Sequence, residues 1–484
     1  MGDMIRPLAL LPLVLVACRP DRTGTSPDSG PVSADSGVPG TVAWQRTLAP
    51  LSTTMTGPRG HRLARAIVHL HSSWSHDACD GQPLDDDGRP RTDCLADLRR
   101  GLCEAGIEHA FLSDHPAHFA TSTWEEAPLA QPGDTRLPDD AGRVLEIPCD
   151  SGGVVRWYPG VEDELMPVAL DRHVPGDAEQ RDWQYNQSDA AAIEAFTEAG
   201  ATVWLAHTEG RDPDLLASLV AQGLRGVEVF NLHAAFSPTI RADDLGLDPA
   251  DWLAEIVPFT SDEGTGEPDL FVLGVLTPQI PSEERWDALQ ALAPDDRVIA
   301  ATFGTDAHQN VMPVALRDGE RGDSYRRMLR WASQWLWLEP GTEGDLDAAE
   351  QALSAGRFQV VFEVLGTPEG FDFHLEDAAG TIHEMGSVVD GDALPATLTV
   401  TCPTLWAGSP RGTTPPEITA TVYRDGEPWQ QGCGSFPVDT PGSYRVRIDI
   451  VPWHLDPFLG DDPEPWLHDY PWVYGNPIRV RAAR

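Results

Sequence analysis

The sequence predicts an α/β protein in which an α/β barrel is followed by a C-terminal β-sandwich. Two observations support this prediction. Between residues 64 and 340, apolar strand-like runs alternate with helix-like runs, and the strand-like runs end in His, Asp or Glu. Polar residues at the carboxyl ends of strands are typical of an α/β barrel with its active site on that face. From about residue 357, short strands of alternating polar and apolar residues are separated by turns rich in Gly, Pro and Asp, which favours a sandwich.

The first 18 residues have the features of a secretory signal. Arg6 precedes the apolar run 7–17, which is too short to span a bilayer and ends in a small residue before Cys18. This segment resembles a bacterial lipoprotein signal, and the resemblance implies that Cys18 is lipidated and anchors the protein in the cell envelope. An uncleaved short apolar segment is the alternative. Residues 19–43 are rich in Ser, Gly, Pro and Asp and are predicted to form a disordered tether.

The barrel region is expected over residues 44–356, and its strands end in polar residues. The first strand, 66–70, brings His69 and His71, which point to the same face if the strand is regular. A lone pair of this kind is weak evidence for a metal site, since a buried core histidine would explain any single strand end. Equivalent placement on five strands is hard to explain by chance. The later strands and their terminal residues are 107–115 with Asp114 and His115, 154–162 with Glu162, 202–207 with His207, and 298–308 with Asp306 and His308.

Helices are predicted between these strands from the spacing of apolar residues and from the glycines that end them. One further strand, 226–231, contains Glu228, which either supports metal ligands or pairs with an arginine. The helices are expected at residues 95–105, 188–199, 215–222, 287–292 and 325–338, the last with Trp331, Trp335 and Trp337 as packing residues.

The sandwich region is expected over residues 357–484. Its strands are recognised by their period of two and by the turn residues between them. They are predicted at residues 358–364, 371–375, 396–401, 418–423, 444–450 and 471–480.

The charge of the chain limits its partners. It has 34 basic and 76 acidic residues, a net charge of −42 and no lysine. This field repels nucleic acids and anionic membrane surfaces, so no nucleic-acid partner is expected. Long polyanionic substrates are disfavoured unless metal ions locally reverse the potential. Solubility in an exposed environment explains the acidity better than a functional role does.

Six cysteines remain once Cys18 is set aside. An even number in an exported chain suggests disulfides, although the sequence leaves about fifteen pairings open. A bond between Cys402 and Cys433 is the most economical. A bond between Cys79 and Cys94 would close the acidic loop 84–88, for which solvated acid is a better reading than a calcium site. The six are Cys79, Cys94, Cys103, Cys149, Cys402 and Cys433.

The strand-end motifs, taken in order, resemble those of the PHP (polymerase and histidinol phosphatase) family. The resemblance covers roughly residues 64–340 and implies a distorted (β/α)7 TIM-like barrel with two or three divalent metal ions at the strand ends. It also implies hydrolysis of phosphate esters. The matching motifs are His69-Leu70-His71, Ser75-His76-Asp77, Ser113-Asp114-His115, Gly160-Val161-Glu162, Ala206-His207 and Gly304-Thr305-Asp306-Ala307-His308.

The family pattern, carried over by position, implies the metal ligands. The loop ligand after the first pair is His76 or Asp77, and the spacing favours His76. His173 falls where the family places a further histidine, and Glu162 is implied to bridge two ions. Val68 stands where many members have Asp, but that position is not a ligand. The remaining implied ligands are His69, His71, His115, His207, Asp306 and His308.

Histidines with a few carboxylates suit Zn, Mn or Fe better than Ca or Mg. Two such ions can activate water and stabilise the entering and leaving oxygens of a displacement at phosphorus, so no catalytic residue beyond the ligands is expected. The ions also give the acidic chain a positive patch for a small anionic substrate. Arg211 is a candidate phosphate contact, although a surface role is favoured, and His233 is expected to face solvent.

The sequence therefore predicts a metal-dependent phosphoesterase of the cell envelope. Two alternatives remain open. One keeps the metal ions but hydrolyses a bond other than a phosphate ester. The other is a non-catalytic surface protein that binds a glycan or a partner. The near-complete ligand set implied by the resemblance argues against the second alternative, because a purely structural metal site has no need for open positions.

Overall fold

The structure, a computed structural model, describes residues 40–137, 142–342 and 345–483. The predicted signal, Cys18 and all but the last residues of the predicted tether lie outside these ranges. The described residues belong to one compact unit of mixed α/β structure, as the sequence predicts at the level of fold class. It contains one large mixed sheet and two smaller sheets. Among the described residues, no helix is both long enough and apolar enough to cross a membrane.

The helices are short and lie mostly between strands of the first 360 residues. The α-helices are α1 (Leu51–Thr54), α2 (Ala78–Gly81), α3 (Thr92–Glu104), α4 (Pro116–Phe119), α5 (Ala178–Tyr185), α6 (Ala190–Glu198), α7 (Pro213–Gln222), α8 (Leu232–Phe236), α9 (Pro238–Asp243), α10 (Asp251–Glu255), α11 (Val257–Thr260), α12 (Ile280–Gln290), α13 (Tyr325–Trp331) and α14 (Ala348–Ser354). Short 3-10 helices span Pro58–Gly60, Pro268–Val275, Glu363–Leu365, Gly391–Ala393, Trp453–Phe458 and Glu464–Trp466.

The strands are distributed over the whole described chain. They are β1 (Arg62–Leu70), β2 (His109–Phe111), β3 (Thr135–Arg136), β4 (Leu145–Pro148), β5 (Val154–Tyr158), β6 (Leu165–Val168), β7 (Thr202–Leu205), β8 (Gly226–Asn231), β9 (Ala300–Ala307), β10 (Ser333–Leu338), β11 (Phe358–Val361), β12 (Pro368–Glu369), β13 (Asp372–Glu376), β14 (Ile382–Glu384), β15 (Val388–Val389), β16 (Ala396–Thr401), β17 (Thr404–Leu405), β18 (Glu417–Arg424), β19 (Glu427–Gln431), β20 (Gly434–Val438), β21 (Gly442–Val451) and β22 (Tyr470–Val480).

Strand β1 lies at the centre of the large sheet. It pairs in parallel with β2 on one side and with β9 on the other, and its amino-terminal half also pairs with the antiparallel strand β10. Parallel pairing continues from β2 to β5 and from β9 through β8 to β7. The carboxyl ends of β5, β2, β1, β9, β8 and β7 therefore meet at one edge. Among the described residues, strand pairing does not close this sheet into a ring.

The two faces of β1 enter different parts of the core. Ala64, Ala66 and Val68 belong to one buried cluster, which also contains side chains of β7, β10 and α14. Ile67 and Leu70 belong to the other, larger cluster of buried residues. Because positions 68 and 70 face different clusters, the regular alternation of the strand is interrupted at the residue between them, His69.

The predicted helix 325–338 is wrong in its second half. Helix α13 ends at Trp331, Ala332 is extended, and the following six residues form β10. Trp335 and Trp337 enter one core cluster, whereas Leu336 and Leu338 enter the other, as a period of two requires. Short apolar runs fit both helical and strand periods, and pairing of β10 with β1 and β11 decides the outcome here.

The C-terminal strands match the predicted positions closely, but they do not begin a separate sheet. Strand β11 pairs with β10 and with β22, so the large sheet continues across the expected boundary between residues 356 and 357. It then extends through β21 and β18 to β19, while β14, β13, β16 and β20 form a separate sheet. The side chain of Asn476 joins the two regions further, because it accepts a hydrogen bond from Ala301 N at 2.7 Å and donates one to Phe358 O at 3.0 Å.

Three disulfides link the described cysteines. Cys402 pairs with Cys433, the pair that the sequence favours, and Cys79 pairs with Cys94, a pairing that the sequence analysis considers for the acidic loop. The third pair joins Cys103 to Cys149. In the acidic loop, the carboxylate of Asp85 accepts hydrogen bonds from two backbone amides of its own exposed turn, which fits the solvated reading.

Candidate metal centre

The edge at which the parallel strands end collects the predicted ligands. One ligand atom from each residue of a group lies within 4.8 Å of the others in three overlapping groups. The groups share His69 and His71, so they form a single cluster. They are His69, His207 and Asp306; His69, His71 and Glu162; and His71, His115 and His308.

The two carboxylates lie between the imidazoles. Oδ1 of Asp306 is 3.3 Å from Nε2 of both His69 and His71, and its Oδ2 is 3.5 Å from Nε2 of His207. Glu162 lies 4.0 Å from Nε2 of His69 and 3.8 Å from Nε2 of His207. We define the inner group as His69, Glu162, His207 and Asp306.

The remaining ligands form an outer group, which is completed by Asp77. The imidazoles of His71 and His308 stack at 3.7 Å between ring centroids. Oδ2 of Asp77 lies 3.4 Å from Nε2 of His308 and 3.7 Å from Nε2 of His115. His76 is exposed, with its ring centroid 5.1 Å from that of His115. The geometry therefore favours Asp77 as the loop ligand, whereas the spacing favours His76. We define the outer group as His71, Asp77, His115 and His308.

Each of the five clustered histidines has its Nδ1 atom within hydrogen-bond distance of an oxygen; for His69, His71 and His207 this oxygen belongs to a residue outside the cluster, and for His115 and His308 it is a backbone carbonyl of Glu162 or Asp306. This arrangement fixes the ring orientation and turns Nε2 towards the neighbouring ligands, as is usual for histidines that bind metals. The Nδ1 contacts are His69 with Glu228 Oε1 at 2.6 Å, His71 with Ser75 Oγ at 2.8 Å, His115 with Glu162 O at 3.2 Å, His207 with Glu209 Oε1 at 3.1 Å, and His308 with Asp306 O at 2.9 Å.

Glu228 supports two of the inner ligands at once. Its Oε1 accepts a hydrogen bond from Nδ1 of His69, and its Oε2 accepts from the backbone amide of His207 at 2.9 Å and from the amide of Asn231 at 2.8 Å. Burial alone would raise the pKa of Glu228, but the charge of His69 and its hydrogen bond hold the pKa below its usual range. Gly304 leaves room for this carboxylate, since a Cβ there would overlap Glu228. Of the two readings of Glu228, support of the ligands therefore fits the structure.

A second network orients the outer group. The carboxylate of Asp114 accepts hydrogen bonds from the amide of Ser72 at 2.6 Å, from the hydroxyl of Ser72 at 2.7 Å and from the hydroxyl of Ser75 at 3.0 Å. Because Ser75 donates its one proton to Asp114, it accepts from Nδ1–H of His71. His71 therefore presents the lone pair of Nε2 to the cluster.

At three residues of the inner group, the backbone adopts a conformation that residues other than glycine rarely adopt. The φ angles are 72° at His69, 52° at His207 and 50° at Asp306. Such conformations cost roughly 1–3 kcal/mol each and concentrate at functional sites. At His69 the register between β1 and β9 also shifts, which explains the interrupted alternation of β1. His69 and His71 thus converge as predicted, but through this irregularity and not through regular strand geometry.

The protonation states differ between the two groups. Burial alone would lower the pKa of His69 and His207, but neighbouring carboxylates raise the pKa of His69 well above its usual range and that of His207 to about 9, so these inner rings would release a proton on binding an ion.

His71 and His115 of the outer group are already neutral. Burial lowers the pKa of His71 well below its usual range, and the neighbouring His308 lowers it further. Burial likewise lowers the pKa of His115 to about 4. Neutral imidazole is the form that binds metal ions. Burial raises the pKa of Glu162 to about 8, against the opposing effect of His69 and His207, so a cation is the natural partner for its ionised form.

The donor atoms of the cluster fit divalent ions. Several are fully shielded and have no hydrogen-bond partner among the residues that the structure describes, although burying unpaired polar atoms costs free energy. Imidazole nitrogens mixed with a few carboxylate oxygens are the ligand set of Zn, Mn or Fe. The shielded atoms are Nε2 of His69, His71 and His308, Oε2 of Glu162, Oδ1 of Asp77 and Oδ2 of Asp306.

His173, like the exposed His76, is a predicted ligand that the structure does not place in a ligand group. Its ring packs edge-on against Phe119 and Trp124, with centroid distances of 4.9 and 5.3 Å, and its Nδ1 lies 3.2 Å from the hydroxyl of Tyr185. In the described part of the chain it belongs to none of the ligand groups. Burial lowers the pKa of His173 to about 4, which keeps the ring neutral in this aromatic setting.

Three further residues lie near the cluster; of these, Arg211 was named in the sequence analysis as a candidate phosphate contact, whereas His233 and Glu209 were not predicted to belong to the site. His233, expected to face solvent, has an exposed side chain, but its Nδ1 lies 3.3 Å from Oδ2 of Asp306. It follows Asn231, which caps helix α8, so its position just beyond a strand end was the available signal. Glu209 is buried beside His207, and the spacing of two residues could have indicated it. Arg211 is partly buried, and its Nε donates to His207 O at 3.1 Å.

Comparison with known proteins gives no relative. No protein-family model matches the chain, and no match was found among curated proteins or solved structures.

Proposed function

We propose that this protein is a metal-dependent hydrolase that cleaves phosphate esters of small anionic substrates. The observation that carries the proposal is the convergence of the ends of five strands on one cluster whose Nε2 and carboxylate atoms face each other. Two or three divalent ions, Zn, Mn or Fe, would be held by the inner and outer groups. No catalytic side chain beyond these ligands is needed for the reaction.

The proposed architecture is a distorted (β/α)7 barrel of the PHP type. The strands β1, β2, β5, β6, β7, β8 and β9 would form it. Two backbone hydrogen bonds near the open edge support closure: Val161 N donates to Pro167 O at 3.1 Å, and Leu170 N donates to Pro159 O at 2.9 Å. Kinship with the PHP family is a further proposal, and it is supported by the order of the strand-end ligands.

We also propose that the C-terminal strands form a sandwich attached to this barrel. Buried residues of the four-stranded sheet, such as Phe373 and Leu398, belong to the same core cluster as Val446 and Ile448 of β21. Sheets that share a core in this way are the basis of sandwich folds.

Ions bound at the cluster would supply Lewis acidity, which activates water near neutral pH and offsets the charge of phosphoryl oxygens. The chain contributes a rigid set of ligands, because every clustered imidazole is fixed through Nδ1. His69, His71 and Glu162 are buried, whereas His115 and His207 are partly exposed, so substrate would approach on the side of the latter pair. With a net charge of −42, the chain would attract an anion to this edge only when cations are bound.

A second candidate is hydrolysis of a carboxylic ester or an amide at the same centre. It is favoured by the acidic neighbours of Arg211, the arginine beside His207. Glu164 lies 3.7 Å from Nη1 of Arg211, and the buried Glu209, which contacts Nδ1 of His207, lies two residues earlier in the chain. These carboxylates reduce the positive charge that Arg211 offers to a phosphate group.

The test is metal analysis combined with a substrate panel of phosphate monoesters, phosphate diesters, carboxylic esters and amides. We expect the purified protein to contain transition metal and to cleave at least one phosphate ester, and Asp306→Ala to lose both properties. His468→Ala, which removes an exposed histidine outside the cluster, serves as the control. Full activity of Asp306→Ala would refute the proposal, and activity confined to esters or amides would favour the second candidate.

We propose a cell-envelope location, with lipid anchoring through Cys18. The three disulfides support an oxidising compartment, because such bonds persist there and are rare in the cytosol. Metabolic labelling with a palmitate analogue, compared between the native chain and Cys18→Ser, tests the anchor.

A further inference from the structure

We propose that the disulfide between Cys79 and Cys94 positions Asp77 for metal binding, so that the ion of the outer group depends on this bond while the inner group does not. The inference rests on the metal-binding role proposed above. In this proposal, a disulfide outside the cluster places Asp77, one of the ligands of the outer group.

The loop that carries Asp77 has an unfavourable backbone. Cys79 and Asp80, which follow it closely, lie in the single turn assigned as α2, but both have φ angles of 58°, in the left-handed region and not in the right-handed helical one. Two consecutive residues other than glycine in this region are rare, and the surrounding structure must hold them there. An unrestrained loop would relax to another conformation and would carry Asp77 with it.

The loop is attached to the segment that follows Asp306. Cys79 N donates to His308 O at 3.0 Å, Asp80 N donates to Gln309 O at 2.9 Å, and the side chain of Asn310 donates to Asp77 O at 3.1 Å. These bonds align Asp77 with the outer ligand His308. They are few, however, and they compete with a strained backbone, so they need a further restraint.

The disulfide provides that restraint by joining the loop to helix α3. Both cysteines are buried, and their Cα atoms are 5.8 Å apart. Helix α3 is itself held in place, because Gly101 packs so closely on α13 that a Cβ there would lie 2.7 Å from Arg326 N. The bidentate ion pair between Asp80 and Arg321 also ties the loop, but it acts on a carboxylate that is 49% exposed, whereas the disulfide is a covalent bond between buried residues.

The inner group has a different support. His69 and Asp306 lie within β1 and β9, while His207 and Glu162 follow β7 and β5 closely. Their orientation comes from Glu228, Glu209 and the strand pairing, none of which involves the loop 76–80. Breaking the disulfide is therefore expected to affect the outer ion selectively.

The experiment compares two variants of the full chain that each remove one disulfide from helix α3. Cys79→Ser with Cys94→Ser removes the proposed positioning bond. Cys103→Ser with Cys149→Ser removes the bond at the other end of the same helix and is the matched control. Each protein is equilibrated with Zn²⁺ in a chelator buffer, and bound zinc is counted by elemental analysis across a range of free Zn²⁺ concentrations.

We expect the variant without the bond between Cys79 and Cys94 to bind the ion of the outer group roughly 10- to 100-fold less tightly than the native chain does. Losses of this size are typical when a residue that supports a metal ligand is removed. The affinity for the remaining ions should be unchanged, and in the control variant the affinity for every ion should be unchanged. Asp77→Asn, with its disulfides intact, should reproduce the loss. If the serine pair fails to fold by circular dichroism, Cys79→Ala with Cys94→Val fills the buried space and takes its place.

Native affinity for every ion in the first variant would overturn the inference, as would an equal loss in the control. Retention of all ions by Asp77→Asn would also overturn it. If the native chain itself binds no zinc, the proposed function fails before the disulfide is in question, so the two failures are distinguishable.

Discussion

The carboxylate of Glu228 accepts a hydrogen bond from Nδ1 of His69 at 2.6 Å, and both side chains are completely shielded from solvent. The same carboxylate accepts the backbone amide of His207, so one acidic group fixes two inner ligands on neighbouring parts of the sheet. Strand β8 supplies no ligand of the inner or outer group. Through Glu228, it nevertheless supports the metal binding proposed for this edge.

Glu228→Gln should weaken metal binding while leaving the fold intact. Glutamine has nearly the same shape, but it is a weaker acceptor and its amide NH2 cannot accept from Nδ1 of His69. We expect roughly a 10- to 100-fold loss of zinc affinity, measured by chelator competition. Glu350→Gln is the control, because Glu350 is a largely buried carboxylate that pairs with Arg143 away from the cluster. Equal zinc affinity in native and Glu228→Gln protein would show that the contact does not orient His69.

Gly304→Ala should displace the carboxylate of Glu228 and so disrupt its hydrogen bond to His69. A Cβ at Gly304 would overlap the carboxylate of Glu228 and lie 2.7 Å from Nδ2 of Asn231. We expect a loss of about 1–3 kcal/mol in the free energy of unfolding, typical of overpacking, together with weaker zinc binding. Urea denaturation and zinc titration measure the two effects.

The control for that substitution is Gly274→Ala, whose nearest atom would be Cγ2 of Ile256 at 3.0 Å. It should lower stability without changing zinc affinity. Native stability of Gly304→Ala would mean that Glu228 has freedom to move, contrary to its three hydrogen bonds.

The parts of the fold that depend on local signals could be predicted from the sequence. Strands such as β16 and β21 show a period of two and are bounded by turn residues, and they lie where expected. The segment 333–338 could not be assigned in this way, because its tryptophans fit both periods. Its state depends on pairing with β1, which lies more than 200 residues earlier in the chain.

The same distinction between local signals and long-range contacts applies to the residues of the candidate site. Predicted ligands that lie within a few residues of a strand end, such as His115 and His207, are recognisable from sequence because the strand itself is recognisable. The choice between His76 and Asp77 depends on left-handed residues in the loop, which no local pattern specified. His173 was placed by resemblance alone, whereas its actual position follows from aromatic packing against Phe119 and Trp124.

The buried ion pair between Arg65 and Glu363 should make the two regions of the chain depend on each other for stability. Arg65 lies in β1, and its Nε donates to the carboxylate at 2.6 Å, while the side chains are 2% and 1% exposed. Removing one partner leaves an uncompensated buried charge, which costs about 3–5 kcal/mol. We expect Arg65→Met to lower the free energy of unfolding by this amount in urea titrations.

The matched control is Arg89→Gln, which breaks an ion pair with Asp87 whose side chains are 75% and 71% exposed. That pair should contribute less than about 1 kcal/mol. A double variant, Arg65→Met with Glu363→Leu, should recover part of the lost stability because no unpaired charge remains. If Arg65→Met were as stable as Arg89→Gln, the coupling between the two regions would have to come from the sheet alone.

Acid should destabilise the protein partly through His454. This imidazole is fully buried, its Nε2 donates to Leu365 O at 3.0 Å, and burial lowers its pKa from 6.5 to about 4. Between these two values the unfolded chain binds a proton that the folded chain does not, so stability rises with pH and is lost as the pH falls from about 6.5 to 4. The shift corresponds to about 3 kcal/mol.

In His454→Gln, which keeps a neutral donor, urea titrations at pH 7.5, 6 and 5 should show a smaller loss of stability towards acid than the native chain. His468→Gln, at an exposed histidine, should follow the native pH dependence. Because the proposed metal ligands are present in all three proteins, their own titration cancels in the comparison. Identical slopes for His454→Gln and the native chain would exclude His454 as a source of the acid sensitivity.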